Sequence, residues 1–490
     1  MIYRENKMKT KKLIRAFALL LSIAVFNIGL FSKNVQAAYS WIQVGSPGFT
    51  ASGETTEFTS IAFHPSTGEP YVAYRETTNS YKANVMRYHN SAWEQVGAAN
   101  FSDGPAAFVD LTFSVETEEP YITYADSGIT LAPQKTTVKK FNGSSWVNVG
   151  DPMFSTGIAA YNVIGINPSD DVPYVAYADA TTSKIYVKKF NGSTWTDVGA
   201  PGFSTGNATY VSLSFDPAIN QPAVAYYDST TGKAEVKFFN GVSWSDYGVS
   251  PSAGQAFYTS LAFDSENYPY VAYQDGTDGN KLVIKEFIEG AWIKAIPDSP
   301  PGLSDGEATY IALTSRSGIL YVAYKDAAHS NKITAKMIAS NQITAIGTGI
   351  SAGQADYSAI AVNPISGEPF ISYVDVANDS RVSVIKYANI ISTPIYRLYN
   401  TLNGAYLYTR GDADKAHVLN TWPEFEFTDG VPAFYASLTD NGLTPIYRLY
   451  NTLNGMYLYT RGDADKAHVL NTWPEFEFTD GVPAFYASLE

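Results

Sequence analysis

Apolar and polar positions alternate in short runs from about residue 39 to residue 390. The runs are rich in β-branched and aromatic side chains and are bounded by Gly, Pro, Asn or Asp. That is the pattern of half-buried strands joined by tight turns. One run recurs seven times: Tyr71 to Tyr74, Tyr121 to Tyr124, Tyr174 to Tyr177, Ala223 to Tyr226, Tyr270 to Tyr273, Tyr321 to Tyr324 and Phe370 to Tyr373, at spacings of 47 to 53 residues. Each period carries four strand-like segments. The first is typified by Ser260 to Phe263, the second is the recurring anchor, and the third resembles Val187 to Phe190 and ends at Asn191-Gly192, a strong hairpin signal. The fourth opens on tryptophan, as in Trp195 to Gly199.

A period of this length built from four strands predicts the blades of a β-propeller. The ends of the region sharpen the prediction. A lone fourth segment, Trp41 to Gly45, precedes the first period, and the seventh period stops at its third segment, Val382 to Tyr387. The N-terminal strand is therefore expected to complete the last blade and close a ring of seven, which removes exposed strand edges. The expected fold is all-β: a seven-bladed propeller over residues 38–391.

Near Ile390 the pattern changes. Thr393 to Leu438 is repeated as Thr444 to Leu489 with Ala405 replaced by Met456. Each copy reads as two strands around an Asn-Gly turn, a short helix, then further strand and turn. One copy is too small for much of a core, so the two are expected to pack together as an α+β module over residues 392–490.

At the other end, Lys7, Lys9, Lys11, Lys12 and Arg15 precede an apolar run from Ala16 to Phe31 and the small-residue site Val35-Gln36-Ala37. This is the order of a secretory signal peptide over residues 1–37. The run is short for a membrane span, and no second long apolar run follows. The mature chain is expected to be secreted, without a membrane span, and monomeric.

Charge narrows the partners. The chain has 33 basic and 47 acidic residues, and removing the signal segment leaves 26 against 46, a net of −20. Such a surface repels phosphate backbones, so no nucleic-acid partner is expected. The chain has no cysteine, which excludes disulfides, thiolate metal sites and a cysteine nucleophile.

Two recurring sets are candidates for a ligand site. An acid follows each anchor: Glu76, Asp126, Asp179, Asp228, Asp275, Asp326 and Asp375. These residues suit a ring of carboxylates, and equally the backbone-capping chemistry of tight turns. A second set opens the first strands: Phe58, Phe108, Tyr161, Tyr210, Tyr258, Tyr310 and Tyr357. Six of them stand four residues after a glycine (Gly104, Gly157, Gly206, Gly254, Gly306, Gly353), and Phe58 stands five after Gly53. In a propeller whose first strand is innermost, these aromatics border the central channel on the same face as the acids. Stacking faces plus carboxylates suit a sugar; core packing at a strand entrance accounts for the aromatics as well.

Six tryptophans (Trp41, Trp93, Trp146, Trp195, Trp244, Trp292) open fourth strands, and Ile343 holds the seventh place. That substitution favours bulk over chemistry, so they are read as packing residues. Arg410-Gly411-Asp412 and Arg461-Gly462-Asp463 match an adhesion tripeptide but also an ordinary helix start, with Asp412 as cap. The five histidines show no metal-ligand spacing, and no nucleophile elbow or phosphate loop is present. No catalytic residue, metal or cofactor is assigned.

The anchors and the Trp-x-x-Val-Gly strands resemble the repeats of uncharacterised secreted bacterial propeller proteins. The tail copies resemble a short bacterial extracellular repeat marked by Tyr396 to Asn400, Gly404 and Leu407 to Thr409, and again by Tyr447 to Asn451, Gly455 and Leu458 to Thr460. The second resemblance implies an accessory module. The expected function is non-catalytic binding of a glycan or another surface polymer. The alternatives are a glycoside-processing enzyme using two of the ring carboxylates, and a structural spacer.

Overall fold

The computed structural model describes residues 39–487 except 79, 130–132, 297–301, 341, 391–392, 403–405, 429–433, 437–443, 453–456 and 480–482. The signal peptide expected over residues 1–37 lies outside the described residues. Tyr39–Asn389 forms one compact unit, and Ile390–Glu490 falls outside it.

The larger unit is all-β and propeller-like, with seven antiparallel four-stranded sheets. In six of them the strands follow chain order, as in Ala208–Asp216, Gln221–Asp228, Lys233–Phe239 and Trp244–Asp246. The seventh takes Ala355–Val362, Pro369–Asp375 and Arg381–Asn389, and its outer place is filled by Tyr39–Gln43. There Trp41 faces Tyr387 and Gln43 faces Ile385. The pairing runs from Ile385, at the middle of the partner strand, to Asn389 at its end.

Hydrophobicity decides how the sheets stack. The second strands are buried along nearly their whole length, with Val224, Ala225 and Tyr226 at 0% exposure. Alternating residues of such a strand must pack against the sheet on either side. The core clusters accordingly bridge sheets: Leu282 and Ile284 join Leu313 and Val322, and Ile61 and Val72 join Phe370, Val382 and Val384. Alanine at the centre of the anchors (Ala73, Ala176, Ala225, Ala272, Ala323), wholly buried, lets the faces approach closely. The first strand of each sheet touches those of both neighbours, and Thr56–Phe63 touches Ala355–Val362.

The tryptophans do more than fill space. Each indole Nε1 donates to a backbone carbonyl of the preceding sheet: Trp93 to Val44, Trp146 to Val96, Trp195 to Val149, Trp244 to Val198, Trp292 to Tyr247 and Trp41 to Ile346, at 2.7–2.8 Å. This corrects the bulk-only reading. Where Ile343 stands, hydrophobic packing alone fills the position.

In the tail, Thr393–Asn400 and Thr444–Asn451 are each flanked by Tyr406–Arg410 or Tyr457–Arg461 in a small sheet, followed by the helices Gly411–Thr421 and Gly462–Thr472. The two copies share a core of Ile395, Tyr408, Ile446, Tyr459 and Phe485, and the Tyr459 hydroxyl bonds the backbone of Tyr408. Arg410, not Asp412, is the cap residue of the first helix, and it makes no side-chain capping bond. Asp463 accepts from the Tyr447 hydroxyl at 2.7 Å and from Lys466 at 2.9 Å. That carboxylate is engaged within its own repeat.

Candidate ring site

Each first strand is interrupted at the same place. Its register with the second strand breaks between Glu57 and Ser60, Ala107 and Asp110, Ala160 and Val163, Thr209 and Ser212, Phe257 and Ser260, Thr309 and Ala312, and Asp356 and Ala359. At every break stands one of the sequence-predicted aromatics. All seven adopt left-handed backbone angles, with φ between 49° and 54°. A side chain with Cβ costs about 1–2 kcal/mol in that region, and bulky residues are rare there. The bulge turns each aromatic out of the sheet toward its counterpart on the next sheet.

The seven rings form a closed circuit. Phe58, Phe108, Tyr161, Tyr210, Tyr258, Tyr310 and Tyr357 succeed one another at centroid distances of 4.7–5.4 Å, and Tyr357 returns to Phe58 at 4.9 Å. Interplanar angles of 40–56° are the tilted arrangement that aromatic quadrupoles favour. All seven are half-buried, and together they line a cavity of about 250 Å³. That is slightly below the ~300–1,000 Å³ of typical ligand pockets, a volume for one sugar residue or a small head group.

Burial holds the Tyr161 and Tyr258 phenols up at about 12 and also raises Tyr210 and Tyr310. These four phenols therefore keep their hydroxyl protons. Two ring faces carry cations from the protein, Arg75 over Phe58 at 4.7 Å and Lys325 over Tyr310 at 5.7 Å. Each is neutralised, Arg75 by Glu57 and Lys325 by Asp356.

Below the aromatics, hydroxyls and one carboxylate join the sheets. Thr59 donates to the Tyr357 carbonyl at 2.5 Å, Thr259 to that of Tyr210, and Ser358 to that of Tyr310 at 2.7 Å. One residue further on, Ser60 accepts the Leu111 N–H, Ser212 that of Leu261 and Ser260 that of Leu313, at 2.9–3.1 Å. Asp110 takes the same role toward the Ile164 N–H at 2.9 Å and also accepts from the Ser60 hydroxyl at 2.7 Å. Burial inside the ring pushes its carboxyl above the ordinary range, against the lowering effect of those bonds. Nothing in the repeat spacing distinguished Asp110, because its counterparts are neutral.

The seven acids occupy a different environment. Glu76, Asp126, Asp179, Asp228, Asp326 and Asp375 are buried, and Asp275 is half-buried. Asp228 accepts from Gly206 N at 2.8 Å and Thr230 N at 2.9 Å, and Asp179 accepts from Gly157 N, Thr181 N and Thr182 N at 2.8–3.1 Å. Asp126, Asp275, Asp326 and Asp375 each accept a backbone N–H two residues on, and Glu76 accepts the Thr78 hydroxyl. Asp179 and Asp228 thereby tie the loop after the second strand to the loop before the first, and the others brace the loop after the second strand. The glycine motif belongs to the same device: a Cβ on Gly206 would lie 2.1 Å from Thr230 Oγ1 and 2.6 Å from Asp228 Oδ1. A serine two residues before each such glycine, as in Ser204, bonds both the glycine carbonyl and the third strand; this Ser-x-Gly signal was present in the sequence and not read there. Among the described residues, one set could offer a cation three ligand atoms, Asp305, Asp326 and His329, with those atoms within 4.8 Å of one another. No helix among the described residues is long and apolar enough to cross a membrane.

Residues 378–488 are similar to a domain of unknown function, DUF5648, a match that takes in the last strand of the propeller-like unit and both tail copies. No curated protein matches the chain. Among solved structures, a protein of unknown function from Dyadobacter fermentans is 10% identical, covers 71% of this chain and 98% of its own, and has a TM-score of 0.42. A fucose-specific lectin from Aleuria aurantia is 18% identical over 61% of this chain and 98% of its own, with a TM-score of 0.40. The polysaccharide lyase Uly1 is 9% identical over 74% of this chain and 94% of its own, with a TM-score of 0.42. All three are distant likenesses.

Proposed function

We propose that this is a secreted, non-catalytic binding protein that captures a glycan residue or a similar small group at the aromatic-lined mouth of a closed, seven-bladed propeller. The closed ring is supported by the pairing of Tyr39–Gln43 with the last sheet and by the unbroken circuit of aromatic contacts. Secretion rests on the basic, apolar and small-residue order of residues 1–37. The tail is read as an accessory module.

One observation carries the binding reading: seven aromatics are held in left-handed backbone at the rim of one cavity. Backbone strain of this kind persists only where the surrounding structure imposes it, and it concentrates at ligand sites. Half-buried, neutral aromatic faces with hydroxyls beneath them suit the apolar face and polar edge of a sugar. The acids after the second strands are committed to turns, which favours binding over hydrolysis by paired carboxylates. They are not part of the proposed contact surface.

A glycan array probed with residues 38–490 is expected to give a discrete set of ligands. Tyr210→Ala should weaken the best of them by at least fivefold, about 1 kcal/mol. Unchanged binding by both Tyr210→Ala and Tyr258→Ala would overturn the assignment of the site.

A further inference from the structure

We propose that the cavity under the aromatic ring recognises a cation, an ammonium group held between the ring faces and the Asp110 carboxylate, so that among sugars it prefers an amino sugar to a neutral one. This rests on the ring being the binding site, and it adds the chemical class of the ligand.

The argument starts from a charge that the fold does not need. Asp110 accepts the Ile164 N–H, a bond that ties its sheet to the next. Three sister positions make the same tie with serine, Ser60, Ser212 and Ser260, and three others, Val163, Ala312 and Ala359, have no polar side chain to make it. A hydroxyl is sufficient, so the negative charge is in excess of the structural requirement. A carboxylate inside a protein without a counter-ion is costly, so burial favours the neutral acid, and a bound cation is what would stabilise the charged form. Among the described residues lining the cavity, Asp110 is the one ionisable carboxylate, and no cationic side chain joins it. Its bonds from the Ile164 N–H, the Ser60 hydroxyl and the Leu111 N–H leave a lone-pair direction open, since a carboxylate offers about four.

The walls agree with the charge. An aromatic face attracts ammonium and guanidinium groups through its quadrupole, and Arg75 and Lys325 already use two faces of this ring from the protein side. Both are balanced by acids, so neither supplies positive charge to the cavity. The net charge of the mature chain, −20, favours the approach of cations over anions.

Isothermal titration of the mature protein at pH 6.5 with glucosamine, glucose and tetramethylammonium tests this. Glucosamine is expected to bind about tenfold more tightly than glucose, the scale of a desolvated cation–π contact with a carboxylate behind it. Tetramethylammonium should compete with it. Asp110→Ser, which installs the residue found at the sister positions, should bring the two sugars to within about twofold, with an unchanged circular dichroism spectrum. Asp110→Asn serves as a second variant should the first fail to fold. Equal binding of glucosamine and glucose by the wild-type protein overturns the cation inference and leaves the ring reading standing. A glucosamine preference that survives both substitutions overturns the role of Asp110. No binding of these probes, together with an empty glycan array, overturns the ring reading and this inference with it.

Discussion

Trp195→Phe separates two roles of the recurring tryptophans. The Trp195 indole stacks on Phe154 at 4.6 Å and 9°, packs against Phe190 at 5.6 Å, and donates Nε1–H to the Val149 carbonyl at 2.7 Å. Phenylalanine keeps an aromatic face for the stack and removes the donor. Val149 is buried at 7% exposure, so its carbonyl has little water to turn to. An unsatisfied buried acceptor costs about 1–3 kcal/mol, and the smaller ring gives up roughly a further 1 kcal/mol of apolar burial. The expected loss is about 2–4 kcal/mol. For a unit of about 350 residues, an unfolding entropy of roughly 2.1 cal/mol/K per residue converts this into a Tm lower by about 3–6 °C. Differential scanning calorimetry measures it, with Trp195→Ile as a companion that reproduces the side chain at Ile343 and should lose more, because the stack goes too. A Tm for Trp195→Phe within a degree of wild type, with Trp195→Ile strongly lowered, would show that bulk alone matters and that the Nε1 bonds are incidental.

Deleting Ala38 to Gly45 removes the strand that pairs with Ile385 to Asn389 and the Trp41 bond to Ile346. The outcome expected is aggregation or a Tm fall well beyond that of any single substitution, read by light scattering and calorimetry; an unchanged Tm would contradict the role given to this strand. Tyr226→Phe removes a buried hydroxyl that has no hydrogen-bond partner among the described residues, so it should be neutral or stabilising by up to about 1 kcal/mol. A loss above 2 kcal/mol in chemical denaturation would reveal a bound water or partner on that hydroxyl.

Repetition made the sheets legible. Seven anchors, the Asn-Gly turns and the offset between the first and last periods mark the strands and single out the aromatics and acids in the sequence itself. What the sequence left open was which of two equally periodic sets faces a cavity. Turn carboxylates such as Asp228 and rim aromatics such as Tyr210 recur with the same regularity, and only the bulge separates them. The left-handed bulge has no sequence signature, because it is filled by Phe and Tyr rather than by the Gly or Asn that usually mark positive φ. Asp110 was hidden for the opposite reason: it breaks the repeat, and a period search averages it away. The tryptophan donors are hidden in the sequence because Ile343 fills the same place without a donor, which shows only that one junction between sheets does without the bond.

The pairing of Tyr39–Gln43 with Arg381–Asn389 also governs when the molecule can finish folding. The strand that leads the described chain finds its neighbour only after all seven repeats have been made; Gly48 and Ser383, bonded to each other, are 335 residues apart. Six sheets can form as they emerge from the ribosome, each from local hairpins. The seventh must wait, with the outer edge of Arg381–Asn389 open until the oldest part of the chain returns. A chain released early, or one lacking Tyr39–Gln43, would carry that open edge permanently. The final joint thus serves as a check on completeness: only a chain that carries both Tyr39–Gln43 and Arg381–Asn389 can hide its last strand.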